Sequence, residues 1–191
     1  MKFTAVVTAH DEDVANILDN LEQQTQRPDE VLLFWSGNSG HRGRPLFWDD
    51  QIGMIDTDLA LRAIKQPNKN DWGHDKRDRG LKLAQGDYIG FFNADDRYAE
   101  NYIGTMMKAA ERDRAGLVYC FWHPMGPCIA ALGSSTSGNF IVHRDVAAEA
   151  GGWTSRRYEA DGDFIEEAVR ASQRLGKRVT QVPHTLYWHN P

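Results

Sequence analysis

The apolar run at residues 88–92 ends abruptly in Asn93-Ala94-Asp95-Asp96. Carboxylates at the mouth of a buried strand are the hard oxygen ligands that magnesium or manganese prefers, and a diphosphate would complete such a shell. A polar turn where a strand leaves the core would carry the same residues, so the pair takes its meaning from its surroundings. Two earlier apolar runs also end in polar clusters: residues 3–8 lead into Ala9-His10-Asp11-Glu12, and residues 31–35 into Ser36-Gly37-Asn38. Six tryptophans, at positions 35, 48, 72, 122, 153 and 188, are many for this length. Aromatic faces pack against sugar rings and bases, and they fill cores equally well.

The elements that must position these residues follow from periodicity. After the first run, Val14, Ile17, Leu18 and Leu21 recur at helical spacing, and Pro28 punctuates before the second run, giving strand, helix, strand. Residues 36–50 lack periodicity and read as a long loop, which in a compact domain is often functional. A third strand is predicted within 59–64, and a helix capped by Asp75 is predicted to run through Leu83. Beyond the 88–92 strand the pattern predicts helices over 101–112, 144–150 and 163–175, and strands over 117–122, 138–142, 179–182 and 185–189. Strands alternating with helices imply an α/β layered sheet whose ligand crevice lies at the carboxyl ends of the strands. All three polar clusters fall at that edge.

A chain of 191 residues, 41% hydrophobic and 26% charged, suits a single domain with a real core. The net charge of -5 lacks the basic footprint of a generic phosphate-backbone binder. Cys120 and Cys128 have neither the spacing nor the histidine partners of a zinc site and read as reduced thiols. With no leader pattern and no apolar run of the roughly 20 residues that span a bilayer, a cytoplasmic location is expected. Thr8-Ala9-His10-Asp11 offers no Gly-any-Gly for a dinucleotide pyrophosphate, which argues against an oxidoreductase built on the opening β-α-β, and a P-loop is likewise absent.

Taken in order, several segments resemble the family 2 glycosyltransferases, whose nucleotide-diphospho-sugar transferase fold is called GT-A. They are Ala5-Val6-Val7-Thr8-Ala9-His10, Gln24-Thr25-Gln26-Arg27-Pro28-Asp29-Glu30-Val31, and Arg77-Asp78-Arg79-Gly80-Leu81 before Ala84-Gln85-Gly86-Asp87-Tyr88-Ile89. Phe91-Phe92-Asn93-Ala94-Asp95-Asp96 then resembles the metal motif, and Gly151-Gly152-Trp153 with Glu159-Ala160-Asp161-Gly162-Asp163 the later acceptor-side segment. The resemblance covers most of the chain and agrees across levels of description. It implies one GT-A-like, Rossmann-like mixed sheet flanked by helices over 1–191, with a nucleotide-sugar donor half at 1–96 and an acceptor half at 97–191.

The resemblance also implies roles. Asp95 matches the carboxylate that binds Mn2+ or Mg2+, with His189 falling where many relatives complete metal or diphosphate binding, and neutral imidazole is a competent manganese ligand. Thr8, Ala9, His10 and Asp11 fall where relatives wrap base and ribose, with Ser36 and Ala94 beside them, and Arg77 matches an arginine at the donor diphosphate. Asn93 stands where the motif usually has its first Asp, so an uncharged amide faces the ribose position. Ser36 likewise stands where the family commonly has an acid, which leaves the nucleotide open, although a UDP-sugar ranks first; neighbouring Trp35 could stack on a base or belong to the core. Trp153 matches an acceptor-side aromatic. Asp161 matches the general base of inverting members, with Glu159 and Asp163 near enough to serve instead.

The activity so implied is transfer of a sugar from a nucleotide-diphosphate donor to an acceptor hydroxyl, the acceptor being a glycan, protein or nucleic acid. The alternative is a catalytically inactive module of the same fold that binds nucleotide sugar or protein, as the departures at Asn93 and Ser36 would allow.

Overall fold

A computed structural model describes residues 1–45 and 57–190. Trp48 and the end of the predicted loop lie outside them. The chain opens with β1 (Phe3–His10), α1 (Ala15–Glu22) and β2 (Glu30–Ser36), followed by a small hairpin of β3 (Gly40–His41) and β4 (Arg44–Pro45). Then come β5 (Leu61–Lys65), α2 (His74–Leu83), β6 (Tyr88–Asn93) and β7 (Arg97–Tyr98). The remainder is α3 (Tyr102–Asp113), β8 (Ala115–His123), β9 (Phe140–His143), α4 (Arg144–Glu149), α5 (Ala160–Arg174) and β10 (Arg178–Trp188).

Eight strands form one mixed sheet in the order β5-β2-β1-β6-β9-β8-β10-β7. The strands β5, β2, β1 and β6 run parallel, β9 is antiparallel to both β6 and β8, and β10 lies parallel to β8. Side chains alternate across a strand, and both faces of β1 are covered. Phe3, Ala5 and Val7 pack with Ile17 and Leu18 of α1 and Met106 of α3. Val6 packs on the other side with Phe91 and with Phe164 and Ile165 of α5. This double cover explains why the central strands read as continuous apolar runs. Register then decides the site: Thr8 lies opposite Asn93 and His10 opposite Ser36, so the three strand ends share one edge.

Several boundaries differ from expectation for local reasons. The two predicted closing strands are one, β10, because register shifts between Val182 and Thr185 absorb Pro183 and His184 without ending the pairing. A 3-10 turn over Ser137–Asn139 precedes β9, with Asn139 Oδ1 accepting from the Thr136 N–H at 3.0 Å. Helix α5 starts at Ala160 and includes Gly162, where a Cβ would strike the Leu132 side chain of the facing loop. Asp71, not Asp75, caps α2: its carboxylate accepts from the Gly73 N–H at 3.2 Å and the Asp75 N–H at 2.8 Å. Among the described residues no helix is long and apolar enough to cross a membrane.

Candidate active site

Helix α2 lies close on β1 because Gly80 faces Val6; a Cβ at Gly80 would sit 2.5 Å from Val6 Cγ1. One turn earlier, this approach brings Lys76 and Arg77 over the strand ends, and both are buried. Lys76 Nζ donates to Ala9 O at 2.8 Å and to Ser36 Oγ at 2.6 Å. Arg77 Nη1 donates to Trp72 O at 2.7 Å, and its Nη2 donates to Asn93 Oδ1 at 2.7 Å. Among the described residues the buried Nε of Arg77 has no partner, and no acid forms an ion pair with this guanidinium. A buried cation without an acid is costly, so the arrangement favours an anionic ligand.

Asn93 is held on three sides, accepting from Arg77 and from Thr8 Oγ1 at 3.1 Å and donating from Nδ2 to Asp96 Oδ2 at 2.7 Å. Asp96 is buried and also accepts from Tyr187 Oη at 2.7 Å and from the Asn190 N–H at 2.9 Å. His189 Nδ1 lies 3.0 Å from Asp96 Oδ1. Donation from that nitrogen leaves Nε2 with a free lone pair, the usual way a carboxylate orients a metal-binding histidine. Asp95 stays at the surface, and its carboxyl is held above the ordinary value by the protein around it, then by Asp96 and Glu12, against the pull of His189. A divalent cation would relieve that crowding of negative charge. Among the described residues no three metal-binding side chains converge, so Asp95 and His189 fit a cation only with ligand oxygens completing the shell.

Across the same cavity, of about 690 Å³, the first turn of α5 presents Asp161. Its Oδ2 accepts from the Ser137 N–H at 2.8 Å, whereas its Oδ1 has no hydrogen-bond partner among the described residues and sits 3.5 Å from His74 Nδ1. Burial pushes His74 below its ordinary pKa, Asp161 opposes this and Arg77 adds to it. A neutral His74 accepts at Nδ1 from Arg77 Nη1 at 3.3 Å, which leaves Asp161 Oδ1 without a donor. Asp163 is engaged elsewhere, accepting from Arg157 Nε at 2.8 Å, while Glu159 reaches the cavity wall.

The cavity thus gathers Thr8, Ala9, His10, Arg77 and Asn93 with Asp95, Asp161 and His189. Four other expected residues are not on its wall. Asp11 turns its carboxylate to the Asn38 N–H at 2.5 Å, Ser36 is buried behind Lys76, and Ala94 ties its N–H to Thr8 O at 3.0 Å. Trp153 is 1% exposed and stacks on Phe164 at 4.1 Å and on His74, so it packs beneath the site rather than on its wall. Trp35 is fully buried in the core and cannot stack on a base. Sequence reasoning missed Lys76 and His74, because a charged run such as His74-Asp75-Lys76-Arg77 reads as a solvated helix start. It also missed the exposed pair Trp72 and Tyr158, packed edge to face at 5.6 Å on the cavity wall.

Burial pushes the Lys76 ammonium down to about 8 from 10.5, against the pull of Glu12 and Asp71. Between those values the unfolded chain binds the proton and the folded chain does not, so stability rises with pH across the window. The unfolding free energy of the wild type relative to Lys76→Met should therefore grow by up to about 1.4 kcal/mol per pH unit there. Urea unfolding of both proteins across the window checks this; a flat difference would mean Lys76 keeps its ordinary pKa.

The profile of the family described as Glycosyl transferase family 2 matches residues 4–130. No curated protein sequence matches the chain. Among solved structures, the fold is similar to TarS 1-349 of S. aureus in complex with UDP, at 14% identity and TM-score 0.70, covering 99% of this chain and 60% of that one. It is similar to the mannosyltransferase PcManGT of Pyrobaculum calidifontis in complex with GDP-Man and Mn2+, at 16% identity and TM-score 0.70, covering 98% and 56%. A third similar structure is glucosyl-3-phosphoglycerate synthase of Mycobacterium tuberculosis with Mn2+, UDP and phosphoglyceric acid, at 16% identity and TM-score 0.60, covering 100% and 71%. The chain therefore spans about 60% of the length of the TarS chain. The shared architecture is the GT-A fold expected from the sequence. With the profile matching well over half of its length, the chain belongs to glycosyl transferase family 2.

Proposed function

We propose that the chain moves a sugar from a nucleotide-diphosphate donor to an acceptor hydroxyl, with inversion at the anomeric carbon. One observation carries this reading: Arg77, whose buried guanidinium has no acid partner among the described residues, and Asp161, one of whose carboxylate oxygens has no donor among them, line one cavity and are joined through His74. Inversion needs an anion site for the departing diphosphate and a base for the acceptor, and these two residues offer both.

Asp161 takes the acceptor proton as that oxygen bonds to the anomeric carbon. The bond from that carbon to the diphosphate oxygen breaks, and its electron pair leaves with the diphosphate. Ser137 N–H fixes one oxygen of Asp161 and so aims the other. Arg77, braced by Asn93 and Trp72 O, receives phosphate oxygens. Asp95 and His189 would hold Mn2+ or Mg2+, which when bound supplies positive charge against the growing charge of the leaving group. In this reading residues 1–96 serve the donor and 97–191 the acceptor, with His189 returning to the donor side.

A melting-temperature panel of nucleotide sugars with and without manganese, UDP-sugars first, followed by product analysis with mixed acceptors, tests the proposal. Metal-dependent stabilisation by a nucleotide sugar together with an inverted product is the expected result. Stabilisation with no transfer to any acceptor would favour the inactive binding module, and no response to any nucleotide would remove both.

A further inference from the structure

Resting on the nucleotide-sugar reading above, we infer that Lys76 reads the donor's base, donating to an exocyclic carbonyl and fitting the site to uracil or guanine over cytosine or adenine. An ammonium has three donors, and Lys76 uses two, on Ala9 O at 2.8 Å and Ser36 Oγ at 2.6 Å. Among the described residues no acid forms an ion pair with it, yet the side chain is 4% exposed and lines the cavity. The neighbouring groups are committed to each other. Ser36 Oγ also meets His10 Nδ1 at 2.9 Å, and His10 Nε2 meets Asn68 Nδ2 at 3.0 Å.

Position separates this donor from the phosphate end. Arg77 reaches the β6 side through Asn93, whereas Lys76 reaches the ends of β1 and β2. A nucleotide with its diphosphate at Arg77 and Asp95 would direct the far edge of its base toward Lys76. At that edge uracil and guanine present oxygen, an acceptor, while cytosine and adenine present an amino group, a donor. A buried donor facing an amino group is left unpaired, and a charged hydrogen bond of this kind is worth about tenfold or more in affinity.

Calorimetric titration of the full chain with UDP, GDP, CDP, ADP and inorganic pyrophosphate, each with manganese, decides the matter. UDP and GDP should bind about tenfold tighter than CDP and ADP. Lys76→Met should erase that gap and leave pyrophosphate affinity within about twofold of wild type. Lys76→Gln, whose amide can accept, should shift the preference toward CDP and ADP. Equal affinity of the wild type for all four nucleotides would overturn the inference, as would a preference that survives in a folded Lys76→Met protein. An equal loss of pyrophosphate and nucleotide binding in that variant would make Lys76 a phosphate contact and overturn it too. Should Lys76→Met not fold, the wild-type ranking alone decides. Failure of every nucleotide and of pyrophosphate to bind would instead remove the underlying functional reading.

Discussion

Replacing Asp161 with Asn should lower the transfer rate by about 10²- to 10⁴-fold, the usual share of a positioned general base, while donor affinity stays within about twofold of wild type. Asn can still accept from the Ser137 N–H through its carbonyl oxygen, so the turn at 136–139 keeps its anchor. What is lost is a carboxylate oxygen that no donor among the described residues engages. Steady-state kinetics with separate donor titrations distinguish the two effects. Full activity in Asp161→Asn would move the base to Glu159, which also faces the cavity. Asp163 is the weaker candidate because Arg157 holds its carboxyl below the ordinary value.

Asp95→Ala should abolish the metal-dependent part of donor binding. With ligand at about a hundred times its Kd, binding stabilises a protein by about 2.7 kcal/mol. For a chain of this size that is about 5–10 °C in melting temperature. The wild type should show such a rise with donor and manganese together, and the variant should show only what the donor gives alone. The same substitution should leave the ligand-free protein at least as stable at neutral pH. The folded chain holds the Asp95 proton to higher pH than the unfolded chain does, so ionising this carboxyl costs stability as pH rises past the ordinary carboxylate range. Undiminished manganese dependence in Asp95→Ala would place the cation elsewhere.

The central sheet was legible because its strands are buried on both faces: residues 3–8, 31–35 and 88–92 fall inside β1, β2 and β6. Ends were harder where tertiary contacts override local preference. Pro183 looks like a break but sits in a bulge of β10, and Gly162 looks like a breaker but allows Leu132 to approach α5. The β7 pairing was not legible, since two residues facing Tyr187 and Trp188 carry no periodic signal. At the site, the shared edge of the strand ends could be read from the sequence, since topology alone sends them there, but which of their side chains line the cavity could not: Asp11, Ser36 and Ala94 do not. Nor could Lys76 and His74 on α2 be read, because their burial depends on how closely that helix meets β1. Aromatics misled in the opposite sense: Trp35 and Trp153 carry sugar- and base-binding chemistry in their rings, yet both are packed inside.

The amide at position 93 has a consequence for how this site can vary. Asn93 Nδ2 donates to Asp96 Oδ2 at 2.7 Å, and Asp96 in turn fastens Tyr187 and His189. An aspartate at 93 would set two carboxylates at that separation while giving Arg77 the acid it lacks, so its cost turns on how far the guanidinium, or a bound cation, offsets the repulsion from Asp96. Positions 77, 93 and 96 are thus coupled: the residue acceptable at 93 depends on the charges kept on either side of it.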